Sequence, residues 1–183
     1  GLFTQGMVTH RTFKNRNNEW VEPGDIIRKN DLLFDKNNNL VSAGNIEKMS
    51  KSKKNVIDPG EIINLYGADT ARLFVLSDSP PERDLEWTET GVVASYKFIN
   101  KIWDLFEKSN TYEADKNKIN KNSLKNFNQI INEISNNIES FHFNKSIAKI
   151  YEYVNLLSSL ISKKSIIEED LSKVIENLTI VIH

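Results

Sequence analysis

The chain has 183 residues, and its 24 lysines and arginines nearly balance its 25 aspartates and glutamates, which gives a formal net charge of −1. It contains no cysteine and no long apolar run, which excludes disulfide frameworks and thiolate metal sites and gives no support for a membrane span. The histidines His10, His142 and His183 are scattered and do not predict a metal site. Binding of a nucleic acid to so neutral a chain would need a local basic patch.

The first part of the chain, to about residue 57, predicts short strands separated by turns. The strands and the turn signals after them are Glu19–Val21 before Pro23-Gly24, Leu32–Phe34 before Asp35–Asn39, and Leu40–Ala43 before Gly44-Asn45. A further short extended segment, Ile46-Glu47, comes directly after Gly44-Asn45. We therefore expect a turn at Gly44-Asn45.

A lysine-rich loop comes next, at Lys48–Ser52. Two ammonium groups on a loop of small and flexible residues are suited to holding a polyphosphate, and binding groups concentrate on such loops. A run of lysine and serine is otherwise usually a solvated loop, so the surrounding sequence decides between the two interpretations. The dense basic patch of the chain is Lys48, Lys51, Lys53 and Lys54.

Residues 58–87 predict two helices separated at Gly67, a residue type that commonly ends helices. The first helix has Asp58 as its N-cap, Pro59 at its first position and Glu61 to complete a capping box. Asp69 is a candidate cap of the second helix. Its apolar face and its end are predicted from Leu73, Phe74, Leu76 and Pro80-Pro81.

From Thr88 onward the pattern is helical, with a polar connection at Ser109–Asn122. Four successive amphipathic helices with short connections predict an antiparallel bundle, and we interpret their aromatic residues as core. The apolar stripes are Val92, Tyr96, Ile99, Trp103 and Phe106; Phe127, Ile131, Ile134, Ile138 and Phe141; Ile147, Ile150 or Tyr151, Val154, Leu157 and Ile161; and Leu171, Val174 or Ile175, Leu178 and Ile182.

The loop Lys48-Met49-Ser50-Lys51-Ser52 is identical to the KMSKS signature of class I aminoacyl-tRNA synthetases. The continuation Lys53–Pro59 and the segment Tyr66–Leu73 resemble the residues downstream of that signature in the class. Two further stretches, Ser77–Trp87 and Thr4–Val8, are most similar to leucyl-tRNA synthetases of the bacterial and organellar type. The isoleucyl, valyl and methionyl enzymes share the lysine loop and the Gly-Ala-Asp segment, and they remain the alternative within the class.

The resemblance implies a mainly α chain in two parts. Residues 1–87 would be the C-terminal part of a Rossmann-type α/β catalytic domain, with a small β excursion, the lysine loop and helices that contact the tRNA stem. Residues 88–183 would be a truncated, antiparallel anticodon-binding helical bundle, and Phe143–Ala148 also resembles the family there. Arg83 and Trp87 are tRNA-binding candidates, although Arg83 lies in a charge-mixed loop and Trp87 could anchor the next helix.

The resemblance also implies a chemistry. These enzymes join an amino acid carboxylate to the α-phosphate of ATP, expel pyrophosphate and pass the acyl group to the terminal ribose of tRNA. Lys51 and then Lys48 are the catalytic candidates, because positioned cations stabilise the negative charge that builds in the transition state. The whole loop would bind ATP, with donors from Ser50 and Ser52 and with Met49 packed against the body. The implied substrates and partners are ATP with Mg²⁺, leucine and tRNA(Leu), in a cytoplasmic, monomeric enzyme without a membrane partner, and no residue of the chain is predicted to bind a metal.

Both ends of the sequence look cut, since it begins at Gly1 without methionine and stops at His183 within an apolar helical pattern. The family's His-Ile-Gly-His signature and its inserted editing domain have no match. We therefore expect an internal or C-terminal-half fragment that does not catalyse aminoacylation alone. A noncatalytic tRNA- or protein-binding helical module is the alternative from a different class, and the intact lysine loop disfavours it.

Overall fold

The computed structural model describes residues 6–120 and 122–182, and it is about 57% helical with a small mixed sheet. The predominance of helix is as predicted. The chain divides into two compact units. The sheet unit combines the chain as far as Ala71 with Pro81–Val93, and the helical unit combines Arg72–Pro80 with the chain from Ala94 onward. Across the described residues, no helix combines the length and the apolar character that crossing a membrane requires.

In the described residues, the sheet unit is built on a five-stranded sheet. The strands are β1 Val8–Asn15, β2 Ile27–Lys29, β3 Leu32–Phe34, β4 Leu40–Lys48 and β5 Leu85–Glu86. They lie in the order β2-β3-β4-β1-β5. Strand β1 pairs in parallel with β5, and the other neighbouring pairs are antiparallel. Its buried apolar side chains include Val21, Val41, Leu85 and Val92.

The predicted turn at Gly44-Asn45 is wrong, because both residues lie inside β4. Between Arg11 and Phe13 the register of β1 with β4 shifts, and β4 there has one residue more than β1. This is a β-bulge. A Cβ on Gly44 would lie 2.6 Å from Oγ1 of Thr12, and that hydroxyl donates to the carbonyl of Asn45 at 2.9 Å. The glycine therefore marks a close approach between strands and not the end of one.

The predicted strand at Leu32–Phe34 and the turn after it are confirmed. The carboxylate of Asp35 accepts the N–H groups of Asn37 at 2.9 Å and Asn39 at 2.8 Å, which closes the β3–β4 hairpin. The predicted strand around Trp20 is reduced to a single bridge with Lys14. Strands β1, β2 and β5 were not predicted, since two of them are very short and β1 has a single fully buried side chain, Thr12.

Helices α1, Pro59–Tyr66, and α2, Ala68–Asp78, confirm the two predicted helices. The carboxylate of Asp58 accepts the N–H of Gly60 at 2.8 Å, as an N-cap does, while the contribution of Glu61 stays a prediction. Gly67 separates the helices with a φ of 86°, a conformation that favours glycine.

The predicted cap at Asp69 needs correction. Helix α2 begins at Ala68, so that Asp69 lies within its first turn and not before it. A carboxylate there still interacts favourably with the positive end of the helix dipole. The helix ends at Asp78, just ahead of Pro80-Pro81, as predicted.

The remaining helices are α3 Glu89–Ser109, α4 Ser123–Glu139, α5 Phe143–Ser162 and α6 Glu168–Ile182. In the helical unit they share one apolar core, in which the ring centroids of Phe127 and Tyr153 lie 4.5 Å apart. The Tyr153 hydroxyl donates to the carbonyl of Val174 at 2.7 Å, which satisfies its polar atom inside that core. The buried residues that α4–α6 contribute to this core include the predicted Phe127, Ile134, Ile150, Val154, Leu157, Ile161, Leu171, Val174 and Leu178.

The stripe predicted for α3 is confirmed only in part, since Val92 is buried and Phe106 packs against the core, while its middle is shifted on the helix. Its buried apolar residues in the helical unit are Phe98, Ile102 and Leu105, whereas Trp103 is 66% exposed and Tyr96 is 39% exposed. Apolar residues occupy more than one face of α3, so that spacings of three and four fit two neighbouring stripes. Three other residues predicted as core, Ile138, Phe141 and Ile182, lie near helix ends and are exposed.

The polar connection Ser109–Asn122 is tied to the segment between α5 and α6. The N–H of Asp115 donates to Lys164, and the N–H of Asn120 donates to Ser165. The hydroxyl of Tyr112 donates to the carbonyl of Ile166 at 2.7 Å. These hydrogen bonds between the two segments have no periodic signal in the sequence.

Candidate functional site

The lysine loop leaves the end of β4 and reaches α1 through a single turn of 3₁₀-helix at Lys51–Lys53. Ser50 caps this turn, since its hydroxyl accepts the N–H of Lys53 at 3.4 Å, and it lies 3.2 Å from the hydroxyl of Ser52. Lys54 ends the turn in the left-handed region, with a φ of 51°. The loop is therefore a compact, folded structure.

The side chain of Asn55 holds this loop in place. It is 0% exposed, and its Oδ1 accepts the N–H of Ser50 at 2.9 Å. Its Nδ2 donates to the carbonyls of His10 and Glu47, both at 3.1 Å, and Lys48 at 3.3 Å. One buried amide thus connects β1, the end of β4 and the turn. No sequence pattern indicated this role, because hydrophobic periodicity does not report the burial of a polar loop residue.

The basic patch of the loop is only partly neutralised. Lys53 forms an ion pair with Glu47, whereas Lys48, Lys51 and Lys54 are exposed. Within the described residues, the ammonium groups of Lys48 and Lys51 have no hydrogen-bond or ion-pair partner. Two solvent-facing cations on an anchored backbone can bind an anionic group without first breaking an existing ion pair.

The sheet brings the other predicted segments next to this loop. The N–H of Met49 donates to the carbonyl of Val8 at 3.2 Å, and the N–H of Leu85 donates to Met7 at 2.8 Å. Strand β1 therefore lies between the lysine loop and the segment that contains Arg83 and Trp87.

Arg83 and Trp87 differ in their surroundings. Arg83 is exposed. A Cβ added to Gly6 would lie 2.0 Å from the carbonyl oxygen of Arg83, so that only glycine fits at position 6. Trp87 is half-buried, and its backbone N–H donates to the carbonyl of Thr9 at 2.8 Å. Thr4 and Gln5, which belong to the same predicted segment, lie outside the described residues.

His10 lies beside the loop but does not complete a metal site. Burial lowers the pKa of its imidazole, although a hydrogen bond to the Arg11 carbonyl opposes this shift. His142 is exposed, and His183 lies outside the described residues. Among the described residues, no group of three or more His, Cys, Asp or Glu side chains is placed to hold a metal ion.

Comparison with known proteins gives this geometry a context. The family model described as tRNA synthetases class I (I, L, M and V) matches residues 36–88, a range that contains the whole lysine loop and Asn55. The leucine–tRNA ligase of Rickettsia prowazekii (strain Madrid E) is 45% identical over 168 residues, which cover 91% of this chain. Over most of its length the chain is homologous to leucine–tRNA ligases. The ligase of Caulobacter sp. (strain K31) is 42% identical over 167 residues and 87% of the chain.

These leucine–tRNA ligases are much longer than the chain, which spans 19–20% of their length. A crystal structure of Agrobacterium radiobacter K84 LeuRS, in a ternary complex with tRNA and LeuAMS, matches 99% of the chain and 20% of that protein. Its TM-score is 0.66 at 21% sequence identity, which establishes a shared fold.

Proposed function

We propose that this chain is a segment of a leucine–tRNA ligase and contributes the lysine-loop half of its ATP site. The observation that carries the proposal is the loop Lys48–Ser52. Its two ammonium groups have no partner in the described part of the chain, and they lie on a backbone fixed by the buried Asn55. Homology to leucine–tRNA ligases at 42–46% identity supports the amino acid assigned.

In this proposal, an oxygen of the leucine carboxylate attacks the α-phosphorus of ATP, and the bond from that phosphorus to pyrophosphate breaks. The acyl group then moves to a terminal ribose hydroxyl of tRNA(Leu), and AMP leaves. Lys51 and Lys48 stabilise the negative charge on the transferring phosphate and on pyrophosphate, where charge increases in the transition state. Mg²⁺ accompanies ATP, and no carboxylate of the chain is assigned to it.

The other residues of the loop place these cations. Ser50 and Ser52 supply hydroxyl or backbone donors, and Met49 holds the loop against β1 through its N–H. Phosphate transfer of this kind depends mainly on placement and electrostatics, which a short, capped turn can provide.

For the rest of the chain, we propose that residues 1–87 complete a Rossmann-type catalytic domain and that residues 88–183 form an antiparallel anticodon-binding bundle. The parallel pairing of β1 with β5 supports the first assignment, and the shared core of α3–α6 supports the second. Arg83 and Trp87 would contact tRNA. The complete enzyme would be a cytoplasmic monomer.

One alternative has a specific observation in its favour. The family model covers synthetases for isoleucine, methionine and valine as well as leucine, and they share the lysine-loop chemistry. Amino-acid-dependent ATP–pyrophosphate exchange by the complete protein separates these cases. We expect leucine to support exchange far better than isoleucine, valine or methionine. Strong preference for one of the other three would reject the leucyl assignment, and exchange with none of them would reject the enzyme class.

A further inference from the structure

Asn55 is unusual among its neighbours in the loop. Lys54 before it and Val56 after it are exposed, yet Asn55 itself is 0% exposed. The backbone groups that it contacts belong to the loop, to the end of β4 or to β1, at His10, 45 residues away. It therefore connects segments that sequence distance separates.

The orientation of its amide is determined by these partners. One side of the amide faces a donor, the N–H of Ser50, and the other faces the three carbonyl oxygens of His10, Glu47 and Lys48. A flipped amide would place an oxygen against three acceptors and an NH₂ group against a donor, so this orientation is the one that satisfies the site.

From these contacts we infer that Asn55 is a positioning residue for the two lysines, and this inference rests on the proposed function. Its amide fixes the carbonyl of Lys48 and the N–H of Ser50, which lies next to Lys51. It thereby sets the direction in which both side chains leave the backbone, while their ammonium groups stay in solvent. Because the side chain of Asn55 is buried and its amide is bonded to backbone groups, it acts through Lys48 and Lys51.

Two substitutions separate positioning from folding. Asn55→Asp keeps an acceptor for Ser50 but places an anionic oxygen against three carbonyls, and Asn55→Ser is too short to reach them. Thr12→Val is the matched control. Thr12 is 1% exposed, and the substitution removes a hydroxyl that donates to the carbonyl of Asn45 in the same sheet, a bond that involves none of the groups held by Asn55.

The measurement is leucine-dependent ATP–pyrophosphate exchange by the complete ligase, with a thermal melt of each variant. We expect kcat for exchange to fall roughly 10²-fold in each Asn55 variant that melts well above the assay temperature, because small misplacements have effects of this size. The KM for leucine should not change. Thr12→Val should lower the melting temperature and leave kcat unchanged.

A double variant tests the route of the effect. If Asn55 acts through the lysines, Lys51→Ala combined with Asn55→Asp should lose far less activity than the product of the two single losses. An unchanged kcat in a folded Asn55 variant, losses that multiply, or failure of both variants to fold would overturn the inference. A wild-type protein without leucine-dependent exchange would instead reject the proposed function, and the inference with it.

Discussion

The two units of this chain are stabilised in different ways. The helical unit has a large apolar core around Phe127, Tyr153 and Leu157, all nearly inaccessible to solvent. The fully buried side chains of the sheet unit include three polar ones, Thr12, Asn55 and Thr70, and each is hydrogen-bonded to backbone. Apolar burial is non-directional, whereas a buried hydrogen bond fixes the geometry of the groups that it joins. The lysine loop lies in the unit where directional contacts set the structure.

The largest effect that we expect is a loss of core packing in the helical unit. Phe127→Ala should lower the free energy of unfolding by about 3–5 kcal/mol, because it leaves a cavity at a residue that is 0% exposed. Urea unfolding of the 183-residue chain followed by circular dichroism measures this loss. Ile138→Ala on the same helix, at a residue 47% exposed, is the control and should have a much smaller effect. Equal losses for the two variants would contradict the assigned core face of α4.

The second-largest effect is expected from a residue of the sheet unit, and it should reduce activity without reducing stability. Lys51→Ala should reduce leucine-dependent exchange by the complete ligase roughly 10²-fold or more, about 2.7 kcal/mol in the activation barrier. Its unfolding midpoint should not change, because the ammonium group is exposed and unpaired in the described structure. Lys125→Ala, at an exposed lysine of α4, is the charge-matched control. Unchanged exchange in the Lys51 variant would remove this lysine from the site.

A smaller effect is expected where the lysine loop joins α1. Asp58→Ala should destabilise the sheet unit by about 1 kcal/mol, because it removes the N-cap acceptor of the Gly60 N–H. Asp58→Asn keeps an acceptor of nearly the same shape and should retain most of the stability. Hydrogen exchange of the amides in α1 measures both variants. A loss of similar size in both would mean that the charge of Asp58, and not its hydrogen bond, stabilises the helix.

The helical unit was the more predictable of the two, because an amphipathic helix repeats its signal over many residues. The stripes of α4–α6 placed Phe127, Val154 and Leu178 in the core, where the structure has them. The start of α1 was equally predictable, since Asp58 and Pro59 act on adjacent backbone.

The sheet unit was less predictable, because pairing between strands depends on residues far apart in the sequence. Gly44 and Asn45 have the composition of a turn, and only the approach of Thr12 from β1 makes them a bulge. The lysine loop was found from its sequence, but the residue that holds it, Asn55, was not. Three of its four partners lie between Glu47 and Ser50, and the fourth, His10, is 45 residues away on β1, so that no local pattern brings all four together.

The smallest expected effect tests α3, whose buried face was predicted only in part. Trp103→Ala should change the free energy of unfolding by no more than about 0.5 kcal/mol, since the ring is 66% exposed. Leu105→Ala, two positions along the same helix and 3% exposed, should lower it by about 2–5 kcal/mol. Both variants remove a large apolar side chain from α3, so intrinsic helix propensity cannot explain a difference between them. The ranking would be reversed if the stripe through Tyr96, Ile99 and Trp103 were the buried one, because Leu105 would then face solvent. Urea unfolding of the two variants therefore decides which face of α3 packs against the core.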